Sequence, residues 1–490
     1  MLEPQQKKKE IVSFLLKKKV LVTPSFLTKL EDLARLEQMY AQLSQPNAEQ
    51  LLAAEAINSS AADGDEQKSQ YQVKVLWDYK EKEKKRTMQD FVNYFNARYK
   101  LLEKMLSGRP ELESLTSIGR LANKKDREAV SVIGMVGSSQ VTVNGNIIMK
   151  VEDATGEISV FFSKNKQELF ESAKDVMLDE VIGVTGTSGD KIIFANSFVI
   201  PDIPIQTELK KANDETYVAI LSDTHVGSSF FLEDAFSKFL KWIRCEIGSD
   251  EQKAVAQKTK YIFILGDLVD GVGVYPGMEH DLTVLDVREQ YKKCAELLKQ
   301  IPAHIKIIIC PGNHDVGRIS EPQLKLSEDY AKPMYEIPNA IMTCNPAFVN
   351  VHASQDFPGF NFLLYHGYSY DFYAENVPSI KNSGRHLSDR TGLIMKYMLQ
   401  RRHLAPTHAT TLYIPDAKTD PLVIETVPDF FISGHLHKSV VATYRGVTII
   451  CGSCWQSQTP FQEKVGHVAE PGKVPLINLK TREVKLMNFV

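Results

Sequence analysis

The stretch Ile305-Lys306-Ile307-Ile308-Ile309, followed by Cys310-Pro311-Gly312-Asn313-His314-Asp315, decides the fold. A short β-branched run that stops abruptly at Pro-Gly reads as a buried strand delivering a polar loop. Open α/β sheets place their ligand loops at that carboxyl edge. Four more stretches share this grammar. Tyr217 to Leu221 empties into Ser222-Asp223-Thr224-His225, and Tyr261 to Leu265 into Gly266-Asp267-Leu268-Val269-Asp270. Phe362 to Tyr365 delivers His366-Gly367, and Asp429 to Ser433 delivers Gly434-His435-Leu436-His437. A single Asp after a strand is ordinarily a turn former or helix cap. Five such ends presenting Asp, Asn or His in one domain point to a site.

The residue types indicate its chemistry. Asp223 and His225 are two positions apart, so on extended backbone they point the same way and can share a cation. Asp267 has two oxygens and can bridge two cations. Asn313 offers a carboxamide oxygen, and His366, His435 and His437 offer imidazole nitrogens. Mixed carboxylate, amide and imidazole ligation suits manganese, iron or zinc better than calcium. Two ions about 3.5–4 Å apart clamp the attacking and leaving oxygens of a phosphoryl displacement. His314 is spare in this count and is placed to donate a proton to the leaving oxygen or to stabilise charge on the phosphoryl oxygens. Asp315 is expected to orient it, and Asp270 to hold a water at the metals. His280, His304, His352, His386, His403, His408 and His467 lack this context and read as surface or packed neutral side chains.

Around this site the chain of 490 residues has room for about two to four domains. Lys plus Arg number 58 against 61 Asp plus Glu, so no global basic field advertises nucleic-acid binding. Any such contact is local. The six scattered cysteines, including the pair Cys451 and Cys454, read as reduced core residues. No apolar run approaches the about 18 residues of a membrane helix, and the Lys-rich N-terminus has no hydrophobic core segment. A cytoplasmic protein without a membrane partner is expected.

Residues 1–56 read as a helical module, with Thr23-Pro24 opening an amphipathic helix. A linker follows over 57–86. It is polar through Gln70, with a short strand at Tyr71 to Asp78 and an exposed charge run at Lys80 to Arg86. Thr87 caps a helix carrying Phe91, Tyr94, Phe95, Tyr99, Leu102 and Leu106 on one face, within a helical connector over 87–126. Across 127–205 the period switches to two. The strands expected are Ala129 to Val136, Val141 to Val143, Asn146 to Val151, Ile158 to Phe162, Val181 to Thr185 and Ile192 to Phe198. Asn144-Gly145 is a hairpin turn, and a helix covers Asn165 to Lys174. This order resembles an OB-fold, a partly open barrel that binds single strands or serves as a packing platform. From 215 to 490, helices at Leu232 to Glu246 and Val284 to Ile301 separate the first three strands, so these are parallel.

Asp-x-His, Gly-Asp-x-x-Asp, Gly-Asn-His-Asp, His-Gly and Gly-His-x-His together resemble the calcineurin-like metallophosphoesterase superfamily. The order of modules, with Leu178 to Gly186, Lys306 to Asp315 and Arg402 to Pro406, resembles the small subunit of archaeal family D DNA polymerase. That resemblance implies a multidomain chain: a helical N-terminal module, an all-β OB-fold, then an α/β phosphoesterase domain built as a mixed β-sandwich flanked by helices. It implies a 3′→5′ proofreading exonuclease with two divalent ions, manganese foremost. Asp223, His225, Asp267, Asn313, His366, His435 and His437 would be the ligands, His314 the catalytic histidine, and Asp315 and Asp270 their supports. The implied partners are the large polymerase subunit, the single-stranded 3′ end of DNA and a sliding clamp. The residues alone leave two rivals, a scaffold with a vestigial metal site and a stand-alone phosphoesterase.

Overall fold

The computed structural model describes residues 4–17, 40, 72–80, 84–121, 127–205, 208–408, 411–415 and 418–490. The helix expected at Thr23-Pro24 and the polar part of the linker lie outside these residues. The chain forms two compact units, Met1–Val73 with His352–Pro358, and Lys74–Val351 with Gly359–Val490. In the first, helix α1 (Pro4–Lys17) buries Ile11, and Glu10 accepts a 2.8 Å hydrogen bond from the Tyr40 hydroxyl. No helix among the described residues is long and apolar enough to cross a membrane.

Strand β1 (Gln72–Trp77) precedes helix α2 (Met88–Leu106). Thr87 and Asp90 close a capping box at the start of α2, satisfying amides that the helix itself cannot. Next comes a closed five-stranded barrel of β2 (Ala129–Val141), β3 (Ile147–Asp153), β4 (Gly156–Phe162), β5 (Val181–Gly189) and β6 (Ile192–Val199). Its strands run in the order β2-β3-β4-β6-β5, with helix α3 (Gln167–Lys174) between β4 and β5. The two strands expected over 129–143 are one continuous strand. A register shift between Val136 and Ser138 lets β2 bend while it pairs with both β3 and β5. Alternate residues such as Val130, Val132, Met149, Val151, Ile182 and Val184 fill the barrel.

The remainder is a sandwich of two six-stranded sheets. One contains β7 (Tyr217–Leu221), β8 (Thr259–Leu265), β9 (Lys306–Cys310) and β10 (Ala340–Met342), all parallel. Antiparallel β16 (Lys473–Asn478) and β17 (Val484–Asn488) complete it. In the other, β12 (Phe360–Leu364), β13 (Phe430–Ser433) and β15 (Val447–Cys451) are parallel, between β11 (Ala347–Ala353) and β14 (Val440–Tyr444), and β1 is the sixth strand, beside β11. Strands buried on both faces need continuous apolar runs, which is why no polar alternation marks them. One face of each sheet meets the other sheet, where Phe263 stacks on Phe362 at 4.7 Å between ring centroids.

The opposite faces are covered by helices. On the first sheet, α4 (Glu233–Ile243) brings Phe236, Phe239 and Trp242 against Leu221, Ile264 and Ile307. Beside it lie α5 (Asp250–Gln257), which the sequence reading did not anticipate, and α6 (Val287–Leu298). On the second sheet, α7 (Tyr370–Asn376) and α8 (Thr391–Arg401) cover Leu363, Phe431 and Ile449.

Buried charges fasten these parts together. Arg98 of α2, fully buried, donates from Nε to Asp420 Oδ2 at 2.6 Å and from Nη1 to the Pro406 carbonyl. Tyr94, His403 and the Leu422 N–H also meet Asp420, at 2.6, 2.8 and 2.9 Å. Burial holds the His403 imidazole down at about 4, so it packs as a neutral ring. The barrel is tied by Glu180, which accepts from Arg401 Nε at 3.0 Å and from the Tyr397 hydroxyl. Removing one partner of a buried pair leaves the other charge uncompensated. Arg98→Ala should therefore lower unfolding free energy by about 3–5 kcal/mol, read as an earlier chemical-denaturation midpoint, whereas exposed Lys150→Ala should leave it unchanged.

Candidate active site

The carboxyl ends of β7, β8, β9, β12 and β13 meet at one edge of the sandwich, and the candidate residues stand in the loops that leave them. Extended backbone does not bring them together. Asp223, His225, Asp267, His435 and His437 all have positive φ, between 48° and 75°. This left-handed conformation disfavours side-chain-bearing residues and persists only where surroundings over-determine it. Here the loops after β7 and β8 zip together. Asp223 donates its N–H to the Gly266 carbonyl, His225 to Asp267 and Val226 to Leu268, at 3.0 to 3.1 Å. The expected two-residue alternation of Asp223 and His225 is thus replaced by a pair of tight turns that converge the same side chains.

Three sets of ligand atoms gather within 4.8 Å of one another: Asp223, His225 and His437; His225, Asp267 and His314; Asp267, His366 and His435. His225 Nε2 lies 3.1 Å from His437 Nε2 and 3.8 Å from Asp267 Oδ2. His366 Nε2 lies 3.3 Å from Asp267 Oδ2 and 3.0 Å from Asn313 Oδ1. All seven positions read as ligands are therefore in one cluster, with Asp267 common to two of its sets.

The second nitrogen of each imidazole is engaged elsewhere, which fixes the ring. His225 Nδ1 meets Asp270 Oδ1 at 2.8 Å, and His366 Nδ1 donates to the Leu265 carbonyl at 2.6 Å. His437 Nδ1 meets the Gln462 amide at 2.8 Å, and His435 Nε2 meets Asp371 Oδ2 at 3.2 Å. Outer partners of this kind orient ligating histidines. Burial works against charge on Asp267, but the imidazoles of His366, His314 and His225 hold its carboxyl well below the usual range. Burial likewise disfavours charge on His366, yet Asp267 lifts it to about 9. The buried carboxylates thus draw positive charge into the cluster. Mixed carboxylate, amide and imidazole donors converging on it fit divalent manganese, iron or zinc.

One expectation needs correction. Asp315 does not meet the His314 ring: its oxygens accept from the N–H groups of Gly312 and Leu268 and from the Tyr291 hydroxyl, bracing the loop after β9. His314 Nδ1 donates instead to the Asp270 carbonyl at 2.7 Å, and Asp270 Oδ1 meets His225 Nδ1 while its Oδ2 is buried. His467, grouped by sequence with surface and packed histidines, lines the same cavity and meets Asp371 at 3.1 Å. Gln456, Gln462 and Asp371 also escaped the sequence reading, because none stands in a strand-end motif. The cavity holds about 540 Å³.

This fold and edge cluster define a class, and comparison with known proteins agrees with it. Residues 216–439 match the family model for calcineurin-like phosphoesterases. The DNA polymerase II small subunit of Methanothermobacter thermautotrophicus is 40% identical over 400 residues, covering 82% of this chain and 79% of the relative. That of Pyrococcus furiosus is 38% identical over 402 residues; there the chain spans 63% of the relative's length and 81% of its own is matched. The Halobacterium salinarum protein of the same name is 33% identical over 403 residues, covering 82% of this chain and 75% of the relative. The chain belongs to this family of archaeal DNA polymerase small subunits.

Gly434 shows how little room the cluster has. A Cβ there would overlap Ser222 and approach Asp223 Oδ2 to 2.6 Å. Gly434→Ala should displace Asp223 and lower the divalent-metal content of the purified protein, with circular dichroism unchanged.

Proposed function

We propose that this chain is the 3′→5′ exonuclease subunit of an archaeal family D DNA polymerase, hydrolysing DNA phosphodiesters with two metal ions. The observation that carries this reading is the position of Asp267 between the two halves of the cluster, its Oδ2 3.8 Å from His225 Nε2 and 3.3 Å from His366 Nε2. One ion would be held by Asp223, His225, Asp267 and His437, the other by Asp267, Asn313, His366 and His435. Manganese on these donors would supply Lewis acidity and neutralise charge on the scissile phosphate.

The chain's own groups do the rest. Asp270, Leu265, Gln462 and Asp371 hold the imidazoles so that ligating nitrogens face inward. His314 has Nδ1 fixed by the Asp270 carbonyl and lines the cavity. Protonated on Nε2, it donates to the 3′-oxygen that leaves as water adds to phosphorus. The products are a nucleoside 5′-monophosphate and a strand one nucleotide shorter, ending in a 3′-hydroxyl.

The barrel, on this reading, is an OB-fold that engages single-stranded DNA or the large subunit, whose product this chain proofreads; a sliding clamp is the remaining partner. A 5′-labelled primer with a mismatched 3′ end, incubated with the chain, its large subunit and Mn²⁺, should shorten from the 3′ end. His314→Ala should slow this about 10²- to 10⁴-fold. Equal rates would indicate a scaffold instead. Asp267→Ala should lose both ions and Asn313→Ala chiefly one, measured as metal content of the purified proteins. Equal losses would contradict the bridging role.

A further inference from the structure

The cavity has a wall that phosphodiester chemistry does not need. Beyond the ligand cluster it is lined by Tyr275, Tyr368, Val274, Ile319 and Leu387. Val274 and Ile319 are exposed, and both tyrosines are half-buried. Apolar side chains left in water beside so polar a cluster are an uncompensated exposure unless a ligand covers them.

Their arrangement is fixed. Tyr368 follows the His366-Gly367 turn, and its ring lies 6.0 Å from that of His435 at an interplanar angle of 67°. Its hydroxyl has no hydrogen-bond partner among the described residues. Tyr275 donates its hydroxyl to Asp281 Oδ2 at 2.9 Å, and Asp281 is itself stitched to the β7 loop by the Ser229 N–H at 2.8 Å. Rigid aromatic faces with a free polar tip beside phosphate-binding groups suit a flat ligand with polar edges. Stacking on aromatic side chains is the sequence-tolerant way proteins hold single-stranded bases.

Resting on the exonuclease reading, we infer that Tyr368, with Tyr275, Val274 and Ile319, forms a stacking wall for the base of the 3′-terminal nucleotide. Tyr368 is a specificity-determining residue on this account. A terminal base reaches the wall only when unpaired, and unpairing is least costly at a mismatch. The same contact that positions the scissile phosphate then selects ends that need removal, without reading which base is present. A volume of about 540 Å³ accommodates one nucleotide-sized ligand.

The test compares two unpaired 3′ ends in the assembled polymerase with Mn²⁺, one ending in thymidine and one in a tetrahydrofuran abasic residue. Wild type should shorten the thymidine end about 5- to 150-fold faster, the range of one stacked base. That ratio should fall towards one in Tyr368→Leu, which keeps bulk without a π-face, and persist in Tyr368→Phe. Equal wild-type rates on the two ends would overturn the stacking wall while leaving the exonuclease intact, as would an undiminished ratio in Tyr368→Leu. Failure of wild type to shorten either end would overturn the nuclease reading and this inference together.

Discussion

Asp223, Asp267 and Asp270 are buried carboxylates crowded at one sheet edge, and much of the structure is arranged to make that crowding tolerable. Like charges a few ångströms apart in a low dielectric cannot stand without compensation. Imidazoles supply it from every side, each oriented by an outer partner on a different element. Five separate strand ends therefore have to arrive at one point with little freedom. The positive φ angles at five of the candidate residues are the backbone expression of that demand.

Such strain persists only on a rigid support. The central strands, buried between the facing sheet and the helices, provide it, and the β7 and β8 loops are locked to each other by successive backbone hydrogen bonds. Close approach adds to this: Gly312 and Gly434 pass so near Asp267 and Asp223 that no side chain fits. Glycine at these two places is a consequence of the carboxylates lying directly beneath the neighbouring loop.

The barrel and helix α2 are joined to the phosphoesterase unit by the same kind of interaction, buried charge fully coordinated by hydrogen bonds. Arg98 with Asp420, and Glu180 with Arg401, each carry tyrosine hydroxyls as additional donors or acceptors. Ion pairs of this type fix geometry more surely than they add stability. They set the barrel at a defined place beside the sandwich, with Glu180 and Tyr397 in direct contact.

The parallel strands, the helix after Thr87 and the seven candidate ligands could be read from sequence because each is a local pattern. A β-branched run ending in a polar loop has one economical structure, and its last residues face the sheet edge whatever lies beyond. The hairpin at Asn144-Gly145 is of the same kind, its Gly145 taking the positive φ that the turn requires. What lies outside local patterns was not legible. Gln462, Asp371 and His467 reach the cavity from segments with no motif, Asp270 is turned towards His225 and Asp315 towards its own loop, and Arg98 finds Asp420 more than 300 residues away. Sequence by itself determined which groups are offered at the strand ends, because side-chain chemistry and strand periodicity are properties of a few adjacent residues. Only the tertiary structure decided which imidazole faces which carboxylate, because that depends on how loops distant in the chain pack against one another.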